Sequence, residues 1–143
     1  RTLRQMIDDG YLRPLRGLRV QTGLDIGRVA VRDDDFDDGE LEEAIDIETR
    51  NLLVARSIQE LARDRRTIAF CVGVRHAEHL SAALNRVGVR AGMVCGQMPK
   101  PDRQRTLARF RDGKLQVITN VGVLTEGFDD PGVSAIARSA VRA

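Results

Sequence analysis

Seven residues able to do polar chemistry crowd into one short connection of this chain. After the apolar run "LQVI" come Thr119, Asn120, Thr125, Glu126, Gly127, Asp129 and Asp130, before a second run, "VSAIA". A hydroxyl and an amide at a strand end can donate to phosphate oxygens without reading a base sequence. Glycine lets backbone approach a ligand and turn its N–H groups outward. A connection that only joined two elements could be shorter and less polar, so this one is read as facing something. Two other polar-rich stretches, "CVGVRH" with Gly73 and "CGQMPK" with Gly96, have the same character. Lys100, Arg105, Arg109 and Arg111 form a small basic patch, with Arg105 and Arg109 four apart. It suits either a solvated helix face or the neutralisation of a few phosphates in a salt-dependent way.

Two apparent metal motifs fail. His76 and His79 stand three apart, but no third ligand is suitably spaced, so they read as helix-start residues beside the polar stretches. The acidic run "DDDFDDGE" would need Gly sixth and Glu twelfth to hold calcium. Counted from Asp33 it has Asp38 and Ala44 there, and it reads as a solvated turn.

The elements that must position these groups follow from periodicity. "TLRQMIDDG" is a short helix stopped by Gly10, and "LRVQTGLDIGRVAV" gives one or two strands interrupted by Gly23 and Gly27. From Leu41 to Ala62, Leu41, Ile45, Leu52, Ala55, Ile58, Leu61 and Ala62 recur at helical intervals, with a break near Asp46. A regular alternation follows: strand "TIAFCV", helix "HAEHLSAALNRVG" stopped by Gly88, strand "RAGMVCG", helix "PDRQRTLARFRDG" between Pro101 and Gly113, and strands "LQVIT" and "VSAIA". Strands alternating with helices predict an α/β domain with a mainly parallel sheet covered on both faces. Ligands bind such sheets at the carboxyl ends of the strands, where all three polar stretches fall.

Composition sets the outer bounds. The 143 residues are 42% hydrophobic and only 3% aromatic, so a core is built from Leu, Ile, Val and Ala. A net charge of +2 leaves no whole-molecule basic field, and nucleic-acid binding must rest on local placement. Cys71 and Cys95 lack metal-ligand spacing and read as reduced thiols of an intracellular protein. No apolar run approaches a membrane span and no secretory leader opens the chain, so we expect a cytoplasmic protein without a membrane partner.

In order and spacing, "IAFCVGVRHAEHL", "MVCGQMPKPDRQRTLARFRDG" and "LQVITNVGVLTEGFDDPGVSAI" resemble the second, C-terminal RecA-like domain of superfamily 2 helicases of the DEAD/DEAH type. The "EGFD-P" form is similar to the DNA-repair and restriction-like branch. The resemblance covers Thr67 to about Ala137 and implies a three-layer RecA-like fold of the P-loop NTPase type. It implies an ATP-dependent motor acting on nucleic acid, with DNA favoured. Thr119 and Asn120 match the pair that touches the nucleic-acid backbone, with Gly73, Gly96 and Arg103 beside them. Gly127 matches a glycine passing close to the nucleotide, Asp129 an acid that accepts a ribose hydroxyl, and Glu126 a residue facing the cleft between two motor domains. Cys95 stands where a His is common.

The absences fit half of such a motor. No G-x-x-x-x-G-K-[ST] loop and no strand-borne acid pair for Mg²⁺ occur. ATP and Mg²⁺ would therefore be held mostly by a first RecA-like domain, the expected partner. We expect an excised piece of a longer protein: residues 1–40 a connector or tail of the preceding motor domain, and 41–143 the C-terminal domain, cut before the last helicase motif. Alone it is expected to hydrolyse nothing. Two other classes stay open at this point: a non-catalytic nucleic-acid-binding or regulatory domain that keeps the fold, and a free-standing α/β enzyme for a mononucleotide.

Overall fold

Short apolar strands bounded by Gly and Pro leave little room for ambiguity in how this chain winds. The computed structural model describes residues 2–11, 31–32, 35–36, 47–124 and 132–138. In chain order its elements are α1 (Leu3–Asp8), β1 (Val31–Arg32), β2 (Asp35–Phe36), α2 (Glu48–Leu61), β3 (Arg66–Phe70), α3 (Val74–Arg86), β4 (Ala91–Cys95), α4 (Lys100–Arg111), β5 (Val117–Val121) and β6 (Val133–Arg138). Helix α1 opens on a capping box, in which Thr2 and Gln5 each accept the other's backbone N–H, and stops where Gly10 turns left-handed at φ 85°.

Strands β3 to β6 form one parallel sheet in the order β4-β5-β3-β6. The order fixes the layers. From β3 to β4 the chain moves two places across the sheet, and from β4 to β5 it moves one place back. Right-handed crossovers in opposite directions put their helices on opposite faces. Accordingly α2 and α3 cover one face, where Ala55, Ile58, Leu80, Ala83 and Leu84 meet Ala69, Ala91 and Val117. Helix α4 covers the other, where Phe110 and Leu115 meet Ile68, Val94 and Ile118. Each fully buried leucine or phenylalanine contributes about 1.5–3 kcal/mol of transfer free energy. The aliphatic core expected from composition is present, with one aromatic, Phe110, as its largest fully buried side chain.

Local chemistry locks the turns. Asn85 donates to the carbonyls of Ser81 and Ala91 and accepts the Ala91 N–H at 3.1 Å, stitching the end of α3 to the start of β4. Gly88 and Gly113 close their helices with φ of 88° and 79°. Gly92 on β4 answers a different need: a Cβ there would lie 2.8 Å from a Leu115 methyl and 3.2 Å from the Thr106 methyl, so its absence lets α4 sit close to the sheet.

Three readings need adjustment. Strand β5 runs on past Thr119 to Val121, because Asn120 and Val121 still pair with Val94 and Cys95 of β4. Part of the acidic run is a strand, with Val31 opposite Phe36 and Arg32 opposite Asp35 in an antiparallel ladder. Of the helix read over 41–62, the part from Glu48 is present, while Leu41 and Ile45 lie outside the described residues.

Replacing Gly92 with Ala should push α4 off the sheet and cost about 1–3 kcal/mol, the usual range for overpacking. Urea denaturation measures it; a Gly92→Ala protein as stable as wild type would show that the helix–sheet spacing is loose.

Candidate nucleotide and nucleic-acid interface

Because the strands are parallel, the loops after β3, β4 and β5 all emerge at one edge of the sheet. Strand β5 lies between β4 and β3, so its loop, residues 122–124, stands between residues 71–73 and 96–99. The sequence reading placed its polar stretches on this rim, and the fold brings their described parts together.

The rim is held from beneath by polar side chains the core has swallowed. Asn120 is 0% exposed, and its Oδ1 accepts the N–H groups of Val123 and Leu124, each at 3.1 Å. Two backbone donors fix which end of the amide is oxygen. Gly122 makes the turn between them with φ 69°, and the Leu124 side chain returns to the second core cluster. The Nδ2 of Asn120 is buried with no hydrogen-bond partner among the described residues. Thr119, also 0% exposed, points to the opposite face and donates its hydroxyl to the Ala77 carbonyl of α3 at 3.0 Å. The loop after β3 is tied similarly: Cys71 N–H donates to the Asn120 carbonyl at 2.9 Å, and Val72 N–H donates to His76 Nδ1 at 3.3 Å. That bond leaves the proton of neutral His76 on Nε2.

Two helix starts give the described part of the rim a partly positive character. Helices α3 and α4 both start here, at Gly73 and Pro99, with no side-chain cap on their first turns. Uncapped N–H groups at the positive end of a helix are a receptive place for phosphate. Arg50 of α2 is buried near Cys71. Burial pushes its guanidinium below its ordinary pKa, and the Cys71 sulfur acts in the opposite direction.

The predicted site residues are distributed as follows. Gly73 and Gly96 stand on the rim, Gly96 exposed with nothing within 4 Å of where a Cβ would be. Arg103 is half-buried in the first turn of α4. Thr119 and Asn120 lie under the rim rather than on its surface. Glu126, Gly127 and Asp129 lie outside the described residues. Sequence reasoning missed Arg50, hidden in an otherwise apolar helical pattern. It saw His76 as a helix-start residue but not as the acceptor that holds a rim loop; a His two places inside a helix that follows a Gly turn is the available signal. Both cysteines are free thiols, Cys71 half-buried and Cys95 buried. Among the described residues, no three His, Cys, Asp or Glu side chains could share a metal ion, and no helix is long and apolar enough to cross a membrane.

A parallel sheet clothed on both faces, with its glycine loops gathered on the carboxyl edge, defines a three-layer RecA-like α/β domain. Residues 42–140 match the helicase conserved C-terminal domain. The chain belongs to that family and is the C-terminal RecA-like domain of a superfamily 2 helicase. It is 31% identical over 116 residues to UvrABC system protein B of Colwellia psychrerythraea, covering 80% of this chain and 17% of that one. It is 29% identical over 74 residues to ATP-dependent RNA helicase DBP3 of Gibberella zeae, covering 52% and 13%. The structure of S. cerevisiae Dbp5 bound to RNA and ADP BeF3 superposes with a TM-score of 0.58 at 24% identity, over 66% of this chain and 24% of that one. The chain thus spans less than a third of the length of each.

Asn120→Ala should leave two N–H groups without their acceptor and destabilise the fold by about 1–3 kcal/mol. Asn120→Asp keeps an acceptor for both N–H groups but places a carboxylate where the side chain is fully buried, so it should also lose stability while protecting the loop better than Ala does. Amide hydrogen exchange at Val123 and Leu124 reads the difference directly. Unchanged protection in the Ala variant would show that the side chain does not hold this loop.

Proposed function

We propose that this chain is the second motor domain of an ATP-dependent nucleic-acid helicase or translocase, working in the cytoplasm against a first RecA-like domain of the same protein. The observation that carries the reading is the rim: three strand-end loops and two uncapped helix starts on one edge of a helicase C-terminal domain. DBP3 is named as ATP-dependent, and the Dbp5 structure holds both RNA and a nucleotide analogue, which supports the same pair of ligands here. The described part of the rim offers a phosphate-bearing ligand the backbone donors of two uncapped helix starts, and the sequence adds Glu126, Asp129 and Asp130 in the loop that continues it.

ATP with Mg²⁺ would be held mainly by a phosphate loop of the other domain and, when bound, would supply the phosphoanhydride bond whose hydrolysis drives the cycle. This chain's residues line the facing wall. By the resemblance, Asp129 would accept a ribose hydroxyl, Gly127 would let the backbone pass close to the nucleotide, and Glu126 would face the partner domain. On the strand side, Gly73 and Gly96 bring backbone to the phosphates and Arg103 contributes a cation. Thr119 and Asn120 belong to this interface from below. The Thr119 hydroxyl, bonded to Ala77, ties the strand end to α3, and Asn120 fixes the loop beside the strand by drawing the Val123 and Leu124 N–H groups inward. Backbone contacts of this kind carry a motor along any sequence, because they read no bases. The "EGFD-P" pattern makes DNA the first substrate to test and RNA the second.

The test is ATP hydrolysis by the whole protein, with and without single-stranded DNA or RNA. Hydrolysis should be strand-stimulated, and Asp129→Ala should raise the KM for ATP about tenfold to a hundredfold, the loss of a hydrogen bond to a charged acceptor. Well-folded protein that hydrolyses nothing with either strand would make the domain a binding or regulatory module.

A further inference from the structure

Charge is unevenly placed on this chain. Residues 100–114 carry six cations, Lys100, Arg103, Arg105, Arg109, Arg111 and Lys114, against two carboxylates, Asp102 and Asp112. That is +4 in a chain whose total is +2, so the remaining residues together are −2. The segment is α4 and the turn that follows it. Phe110 is buried and Leu107 half-buried against the sheet, while Lys100, Arg105, Arg109, Arg111 and Lys114 are exposed.

A helix that needed only to be soluble would mix its signs. This one breaks two local rules. Lys100 and Arg103 sit in the first turn, at the positive end of the helix dipole, where cations are unfavourable. Arg105 and Arg109 are like charges four apart, which also costs helix stability. The Arg105–Asp102 pair at 3.5 Å has side chains 72% and 49% exposed, too wet to justify the arrangement. Arg109 and Arg111 do suit the last turn, but that accounts for two of six cations. Asp102 in the first turn compensates only part of this charge, and local rules broken to this extent point to function.

The helix is also mounted firmly. Arg66 donates to the Phe110 carbonyl at 2.9 Å and lies 5.1 Å from the centre of its ring, while Gly92 lets α4 seat closely. Its first residue follows directly on the rim loop 96–99, and its twelve residues run about 18 Å away from that loop. The patch is therefore an outward continuation of the strand-binding rim.

We propose that the outer face of α4 is a second nucleic-acid contact, one that takes the phosphate backbone of the bound strand where it leaves the rim. This rests on the motor-domain reading and extends it from the cleft to an exit track. Arg105, Arg109 and Lys114 are its core. Lys114 is drawn back to the helix end by its N–H bond to the Arg109 carbonyl at 2.9 Å.

The experiment is fluorescence anisotropy of the whole protein with labelled DNA strands of about 6 and about 20 nucleotides, across a salt series. The variant is Arg105→Gln, Arg109→Gln, Lys114→Gln, three exposed positions at which Gln is a compatible residue. On the longer strand its log–log salt slope should be shallower than wild type by about 2, three contacts at about 0.7 each for single strands. The advantage of the long strand over the short one should shrink with it. An unchanged slope, or an equal loss on both lengths, would overturn the exit track. Arg103→Gln, at the rim, separates the two readings, since it should weaken both lengths whatever the outer face does. Wild-type protein that binds neither strand would overturn the motor-domain reading along with the track.

Discussion

The side-chain amide of Asn120, sealed inside the sheet at the end of its second strand from one edge, accepts two backbone N–H groups of the loop that follows. Buried polar groups are costly unless satisfied, and a buried acceptor that satisfies two donors leaves the loop few alternatives. The Asn120 carbonyl meanwhile receives Cys71, so the same residue registers the neighbouring loop. One step earlier, Thr119 faces the other way and joins its strand to α3. Two adjacent residues therefore couple both layers of helices to the rim through opposite sides of one strand. The chemistry at the edge inherits its shape from chemistry inside.

That arrangement also explains the spacing of the layers. Polar residues at the end of β5 can be buried only if both helical layers come close enough to exclude water. On one side α3 brings Ala77 and Ala83, small residues that let the helix approach, with Leu80 and Leu84 filling the space between. On the other, Gly92 removes the methyl that would hold α4 away. A wider sheet–helix gap would admit water and release the loop from Asn120. Small residues in the layers and polar residues in the strand are thus parts of one constraint.

Much of this was legible in sequence, for identifiable reasons. The alternation of apolar runs with amphipathic stretches, closed by Gly88 and Gly113, foretold the parallel sheet and the edge on which the loops gather. The types and order of residues 119–127 were the reason to read that edge as a candidate site. Orientation was not legible. A hydroxyl and an amide at a strand end look like ligand contacts, and only the two-residue period of a completed strand shows that Thr119 and Asn120 point into opposite cores. Strand β5 was read too short because Asn120 is a poor strand former, and tertiary burial overrode that propensity. Arg50 was hidden by its neighbours: in a helix read for apolar spacing, a buried cation has no periodic signature.

A domain of this kind faces two demands that pull apart. A motor cleft has to open and close, yet contacts that read only backbone need donors held to within a fraction of an ångström. The structure separates the demands by scale. Within the domain, the rim loops are bonded to buried side chains whose release would cost about as much as breaking part of the core. In the proposed motor, movement would then be left to the boundary between domains. On this view the domain's own affinity for a strand can be modest, since preorganised donors become strong only when a partner domain excludes water from the cleft. The outer face of α4 meets the opposite condition. It is exposed to solvent, where screened charges would hold a strand loosely.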